Sequence, residues 1–109
     1  MKKLLVAASL CAILTLPCAV NAECDQQKAN EVILLITEGG IAKRTFNGAA
    51  TVRYEMSGVW DSWPSSQKEG FVGGVRGAEQ CLHGQVTVHF YRNGKEVAKA
   101  TPLGFSVYE

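Results

Sequence analysis

The chain has 109 residues, with 11 lysines and arginines against 10 aspartates and glutamates, and four cysteines. That length supports one domain with a modest core and leaves no room for a second. The charges nearly cancel and are scattered, so nothing in them favours nucleic acid or an anionic membrane as partner.

The first residues read as an export signal. Lys2 and Lys3 precede an uncharged apolar run from Leu4 to about Val20, and Val20-Asn21-Ala22 offers small residues at the positions a signal peptidase inspects. The pattern predicts a cleaved signal peptide over residues 1–22 and a single small domain over 23–109. A retained membrane anchor fits less well. The run is roughly 17 residues where a spanning helix needs about 20, and Ser9, Thr15 and Pro17 interrupt it. Lipidation at Cys18 is disfavoured by Pro17 just before it, and at Cys11 by the short apolar run that would remain.

Cleavage removes two lysines and no acidic residue, leaving a net charge of about −1. It also leaves two cysteines, Cys24 and Cys81. In an oxidising compartment an even pair in a small domain predicts a disulfide. Closing a loop of nearly 60 residues stabilises a fold by roughly 4 kcal/mol in the chain-entropy model. The expected location is therefore the periplasm or the secreted space, with no membrane span in the mature chain.

Along that chain, Ala29, Val32, Ile33 and Ile36 recur at helical spacing and predict a helix over Asp25–Glu38, stopped at Gly39-Gly40. Leu34 and Leu35 widen its apolar surface, which suggests cover on more than one side. Residues 41–48 read either as a frayed helical tail or as a short strand ending at Asn47-Gly48, and Lys43-Arg44 there as a solvated helix end. From Ala49 to about Gly58, Val52, Tyr54 and Met56 alternate with Thr51, Arg53 and Glu55, the signature of a half-buried strand.

After Pro64, Ser66 and Glu69 suggest a capping box opening a second helix that reaches about Leu82 and stops at Gly84. Phe71, Val75, Ala78 and Leu82 form one stripe of this helix. Gly70, Gly73, Gly74 and Gly77 form another, on which Cys81 also lies. Four helical glycines cost roughly 0.8–1.0 kcal/mol each relative to alanine. Close approach of the two helices, tied by Cys24–Cys81, would offset that cost. The last third is β: Val86, Val88 and Phe90 alternate with Thr87, His89 and Tyr91, Asn93-Gly94 predicts a type I′ hairpin turn, and a return strand covers Glu96–Thr101. Leu103, Phe105 and Val107 suggest one more short strand. The expected fold is α+β in the order α-β-α-β-β. Two antiparallel helices would cover one face of a mainly antiparallel sheet of three to four strands.

Motifs for chemistry are sparse. Cys81-Leu82-His83 is too tight for zinc-ligand spacing, no C-x-x-C occurs, and no phosphate-binding loop follows the glycines. No metal or cofactor is expected, and no catalytic residue stands out. His89 should face away from Val88 and Phe90, and His83 should sit at a helix C-terminus. The best remaining surface is the Trp60-Asp61-Ser62-Trp63-Pro64 connection together with the open sheet face carrying Arg53, Glu55, His89 and Tyr91. The candidate binding residues are therefore Trp60, Asp61, Trp63, Arg53, His89 and Tyr91, although in a domain this small one or both tryptophans can instead plug the core. The function that follows is a small non-enzymatic binding or accessory module, an inhibitor or adaptor, whose partner is another protein or an envelope component. The alternatives are a structural component of the cell envelope, which an exposed edge strand at 103–108 would favour, and a small hydrolase, which a deep pocket pairing a histidine with a carboxylate would favour.

Overall fold

A computed structural model describes residues 24–48 and 50–108; the expected signal peptide and cleavage point lie outside the described residues. Helix α1 spans Gln26–Glu38, strand β1 Ala42–Phe46 and β2 Thr51–Met56. The short α2 (Val59–Ser62) and the long α3 (Ser65–His83) follow, then β3 (Thr87–Arg92), β4 (Lys95–Thr101) and β5 (Gly104–Val107). Asp25 caps α1, its carboxylate accepting from the Lys28 amide at 3.2 Å, and Gly40 turns the chain out of it with φ +76°. No helix among the described residues is long and apolar enough to cross a membrane.

The fold is α+β, but its sheet has five strands rather than three or four, in the order β1-β2-β3-β4-β5. Residues 41–48 resolve to strand β1, with Gly48 at φ +77° in the following turn. The sheet is mixed. Strands β2 and β3 run parallel, with Val52 opposite Val88 and Tyr54 opposite Phe90, whereas the other three pairings are antiparallel. The reason is the connection: a 19-residue helix carries the chain back along the sheet, so the strand after it starts from the same end as the strand before it. The Asn93-Gly94 turn is as expected, both residues having positive φ. Between Phe90 and Tyr91 the β3–β4 ladder slips by one residue. Helix α3 starts at Ser65, capped by the Pro64 backbone with no side-chain cap bond. Ser66 thus lies inside the first turn, and the capping box does not form.

The core lies between the sheet and the two long helices. Ala29, Ile33 and Ile36 of α1 and Val72, Val75 and Ala78 of α3 meet Ala42, Val52, Tyr54, Met56, Val88, Phe90, Ala98 and Ala100. Cys24 and Cys81 are bonded, with their Cα atoms 5.4 Å apart, which joins the start of α1 to the end of α3. The wide apolar surface of α1 is not covered on a second side: Leu34 is half-exposed and Leu35 is 72% exposed.

One buried group has charge. Glu79 of α3 is 0% exposed. Arg44 of β1 grips it with two hydrogen bonds, Nε to Oε2 at 2.6 Å and Nη2 to Oε1 at 2.8 Å, and the Tyr54 hydroxyl donates a short bond to Oε2. Arg44 therefore points inward from a strand instead of standing at a solvated helix end. Its Nη2 also lies 3.2 Å from His83 Nε2. The His83 ring stacks on Phe46 at 4.4 Å. The Glu79 hydrogen bond and charge hold the Arg44 guanidinium above its ordinary pKa. Burial first, and then the bond to Glu79, push the Tyr54 phenol well above its own.

Two predictions follow from this cluster. Glu79→Ala leaves Arg44 without its partner and Tyr54 without its acceptor, and should destabilise the fold by about 3–5 kcal/mol, measured as the shift in urea-unfolding free energy. The second concerns alkaline pH. Below a free phenol's pKa near 10, Tyr54 is protonated in both states and its contribution is complete. Above it the unfolded chain releases a proton that the native chain keeps, so stability should fall with pH, by up to about 1.4 kcal/mol per unit for this proton. Urea midpoints taken from pH 8 to pH 11 should show that decline, and Tyr54→Phe should reduce its slope.

Candidate binding surfaces

The structure divides the six candidate residues between two sides of the sheet. Arg53, His89 and Tyr91 come together on the open face, because β2 and β3 are neighbours and Arg53 lies opposite His89. The Arg53 guanidinium carbon sits 3.7 Å from the centre of the Tyr91 ring, a cation–π stack, and Arg53 Nε lies 3.1 Å from Glu55 Oε2. The register slip after Phe90 sets Glu96 opposite Tyr91, since a bulge re-aims the side chains beside it. Glu96 then accepts from the Tyr108 hydroxyl at 3.0 Å and stands 3.4 Å from His89 Nδ1. That nitrogen is buried and makes no hydrogen bond. Burial and then the bond to Glu96 raise the Tyr108 phenol pKa.

Ser106 on this face does not reach His89. Ser106 lies opposite Lys99, which lies opposite His89. Two strand spacings, roughly 10 Å in all, separate Ser106 from the imidazole, well beyond hydrogen-bond reach. Among the described residues no cluster of three or more His, Cys, Asp or Glu could hold a metal ion. Arg53 and Glu55 answer one another's charge and Glu96 accepts from Tyr108, whereas His89 Nδ1 is left without a hydrogen bond.

The tryptophan connection lies on the helix side. Trp60 is a core residue, 3% exposed, with the Lys68 ammonium 5.2 Å from its ring centre. Asp61 is exposed and pairs with Arg92 at 3.0 Å, which pins α2 to the end of β3. Trp63 is half-buried and continues an aromatic series: its ring centre lies 6.0 Å from Trp60 and 5.0 Å from Phe71, and Phe71 lies 6.0 Å from Phe90. Trp60 thus belongs to the core, and Trp63 alone of the two reaches a surface.

That surface is a groove between α1 and α3, which sequence reasoning did not identify. Val32, Leu35, Ile36, Ile41, Trp63 and Phe71 line a shallow cavity of about 300 Å³, floored by Gly70 and Gly74. A second hollow runs on past Gly73, Gly74 and Gly77 to the disulfide. The glycines do not serve tight helix packing as expected. A Cβ added at Gly70, Gly74 or Gly77 would meet nothing within 4 Å, and one at Gly73 would touch the Phe105 ring at 3.4 Å. The available signal was the pair Leu34-Leu35 on a helix already supplied with a core stripe. The pair suggests extra cover but marks an outward face. No protein-family model, curated protein or solved structure matches this chain.

Proposed function

We propose that this is an exported, non-enzymatic module that binds another protein, and that it receives an apolar helix of that partner in the groove between α1 and α3. The observation that carries the reading is the set of open glycines. Each costs about 0.8–1.0 kcal/mol relative to alanine in a helix, yet no described residue occupies the space their missing side chains leave at positions 70, 74 and 77. A surface that keeps backbone exposed beside Leu35 and Trp63 suits the close approach of a second helix.

Charge narrows the partner. Glu31 and Glu38 stand beside Leu34 and Leu35 on α1, and Glu69 is exposed on α3, against Lys28 at the far end. The complement is an amphipathic helix with an apolar stripe and flanking lysines or arginines. An inhibitor or adaptor works in this way, by occupying a partner's helix without performing chemistry. Export is supported by the lysine-led apolar leader and by the Cys24–Cys81 bridge, which persists in an oxidising compartment.

If the glycines serve only a partner, removing them should help the isolated protein. Gly74→Ala and Gly77→Ala should each stabilise the fold by about 0.8–1.0 kcal/mol, raising Tm by roughly 4–8 °C in a thermal unfolding scan. For binding, the probe is a synthetic helical peptide with a leucine stripe and lysine flanks, titrated into the purified protein while tryptophan fluorescence is followed. The lysine peptide should bind and its glutamate-flanked counterpart should not. Gly74→Leu, which fills the groove, should abolish binding with the fold intact. Equal binding of both peptides, or undiminished binding by Gly74→Leu, would falsify the reading.

A further inference from the structure

The two edges of the sheet differ in how they meet other chains. β1 carries Lys43 on its exposed side, and charge on an edge, lysine above all, discourages pairing with another strand. β5 has no such guard. From Pro102 to Tyr108 the sequence is Pro-Leu-Gly-Phe-Ser-Val-Tyr, without a charge. Leu103 is 98% exposed, and Phe105 and Tyr108 are nearly half-exposed.

The backbone at this edge has a defined pattern. The Tyr108 amide donates to the Val97 carbonyl at 2.9 Å, and the β4–β5 register pairs Lys99 with Ser106 and Thr101 with Gly104. In an antiparallel ladder, bonded and non-bonded pairs alternate. The bonding groups of Gly104, Ser106 and Tyr108 therefore face β4, while those of Phe105 and Val107 face outward. Phe105 and Val107 lie opposite Ala100 and Ala98, both buried beneath the helices, so their side chains share the helix face. Ser106 shares the open face with Lys99.

We propose that two copies of this chain join through β5 as antiparallel strands related by a two-fold axis, making one continuous ten-stranded sheet. The axis passes beside Ser106. Only this register uses both outward-facing residues: Phe105 exchanges two hydrogen bonds with Val107 of the second copy, and Val107 two with its Phe105. A shift in either direction leaves one of the two residues without a partner strand residue.

The side chains agree with that register. Phe105 meets Val107, an aromatic against a β-branched residue, a favourable cross-strand pair. Gly104, where an added Cβ would meet nothing within 4 Å, lies opposite Tyr108 of the second copy, so no side chain clashes there. No like charges oppose one another. Because Lys43 guards the other edge, the assembly closes as a dimer instead of growing head to tail.

The test uses the protein purified with its disulfide intact, studied by sedimentation equilibrium up to millimolar concentration. A dimer is expected. Ser106 faces solvent in one copy but meets its own symmetry mate at the axis, in a non-bonded pair where side chains come closest. Ser106→Lys and Ser106→Glu should each raise the dimer dissociation constant by about tenfold or more, and an equimolar mixture of the two should dimerise again. Amide hydrogen exchange reads the same contact without mutation: the Phe105 and Val107 amides should gain protection as concentration rises. A monomer at millimolar concentration overturns the proposal. So does a dimer that both substitutions leave intact, or one in which these two amides stay unprotected.

Discussion

The arrangement turns on a carboxylate sealed from water. Glu79 carries charge in the interior, which is tolerable only because Arg44 and Tyr54 reach it from two different strands. The ion pair spans 35 residues of sequence and sets how α3 is rotated about its own axis. With Glu79 turned toward the sheet, Val72, Val75 and Ala78 enter the core beside it. Gly70 lies nine residues away, about two and a half turns, and so faces outward. The glycine face is thus open because the opposite face is anchored by charge.

The disulfide acts on the same C-terminal part of that helix, at Cys81. By joining Cys81 to Cys24 it keeps the start of α1 against the last turn of α3, which limits the unfolded ensemble. From the bridge the hollow between the two helices runs past Val32 to Leu35 and Trp63.

The three surfaces of the domain differ in what they leave unsatisfied. On the open sheet face, Arg53 stacks on Tyr91 beside Glu55, and Glu96 accepts from Tyr108. These polar groups serve one another, and the buried His89 Nδ1 beside Glu96 is left unbonded. The helix groove leaves apolar side chains and bare backbone without cover, and the β5 edge leaves main-chain donors and acceptors without a ladder. These two are separate in place and in chemistry, one suited to a helix and the other to a strand.

Local pattern alone was enough for α1, for the alternation that makes β2 and β3 and for the Asn93-Gly94 turn, because each depends on neighbours in sequence; the pairing of Cys24 with Cys81 was legible only on the expectation that residues 1–22, with Cys11 and Cys18, are removed. Local pattern left open whether residues 41–48 form a strand, since Ala42–Phe46 shows alternation only once Arg44 is known to point inward to a carboxylate on α3. The parallel pairing of β2 with β3, the core position of Trp60 and the outward glycine face were likewise decided by tertiary structure. Helical periodicity shows that a stripe exists but not which stripe faces the sheet. In α3 that choice rests with Glu79, a residue that looks solvent-exposed by composition and is buried because its partners arrive from β1 and β2.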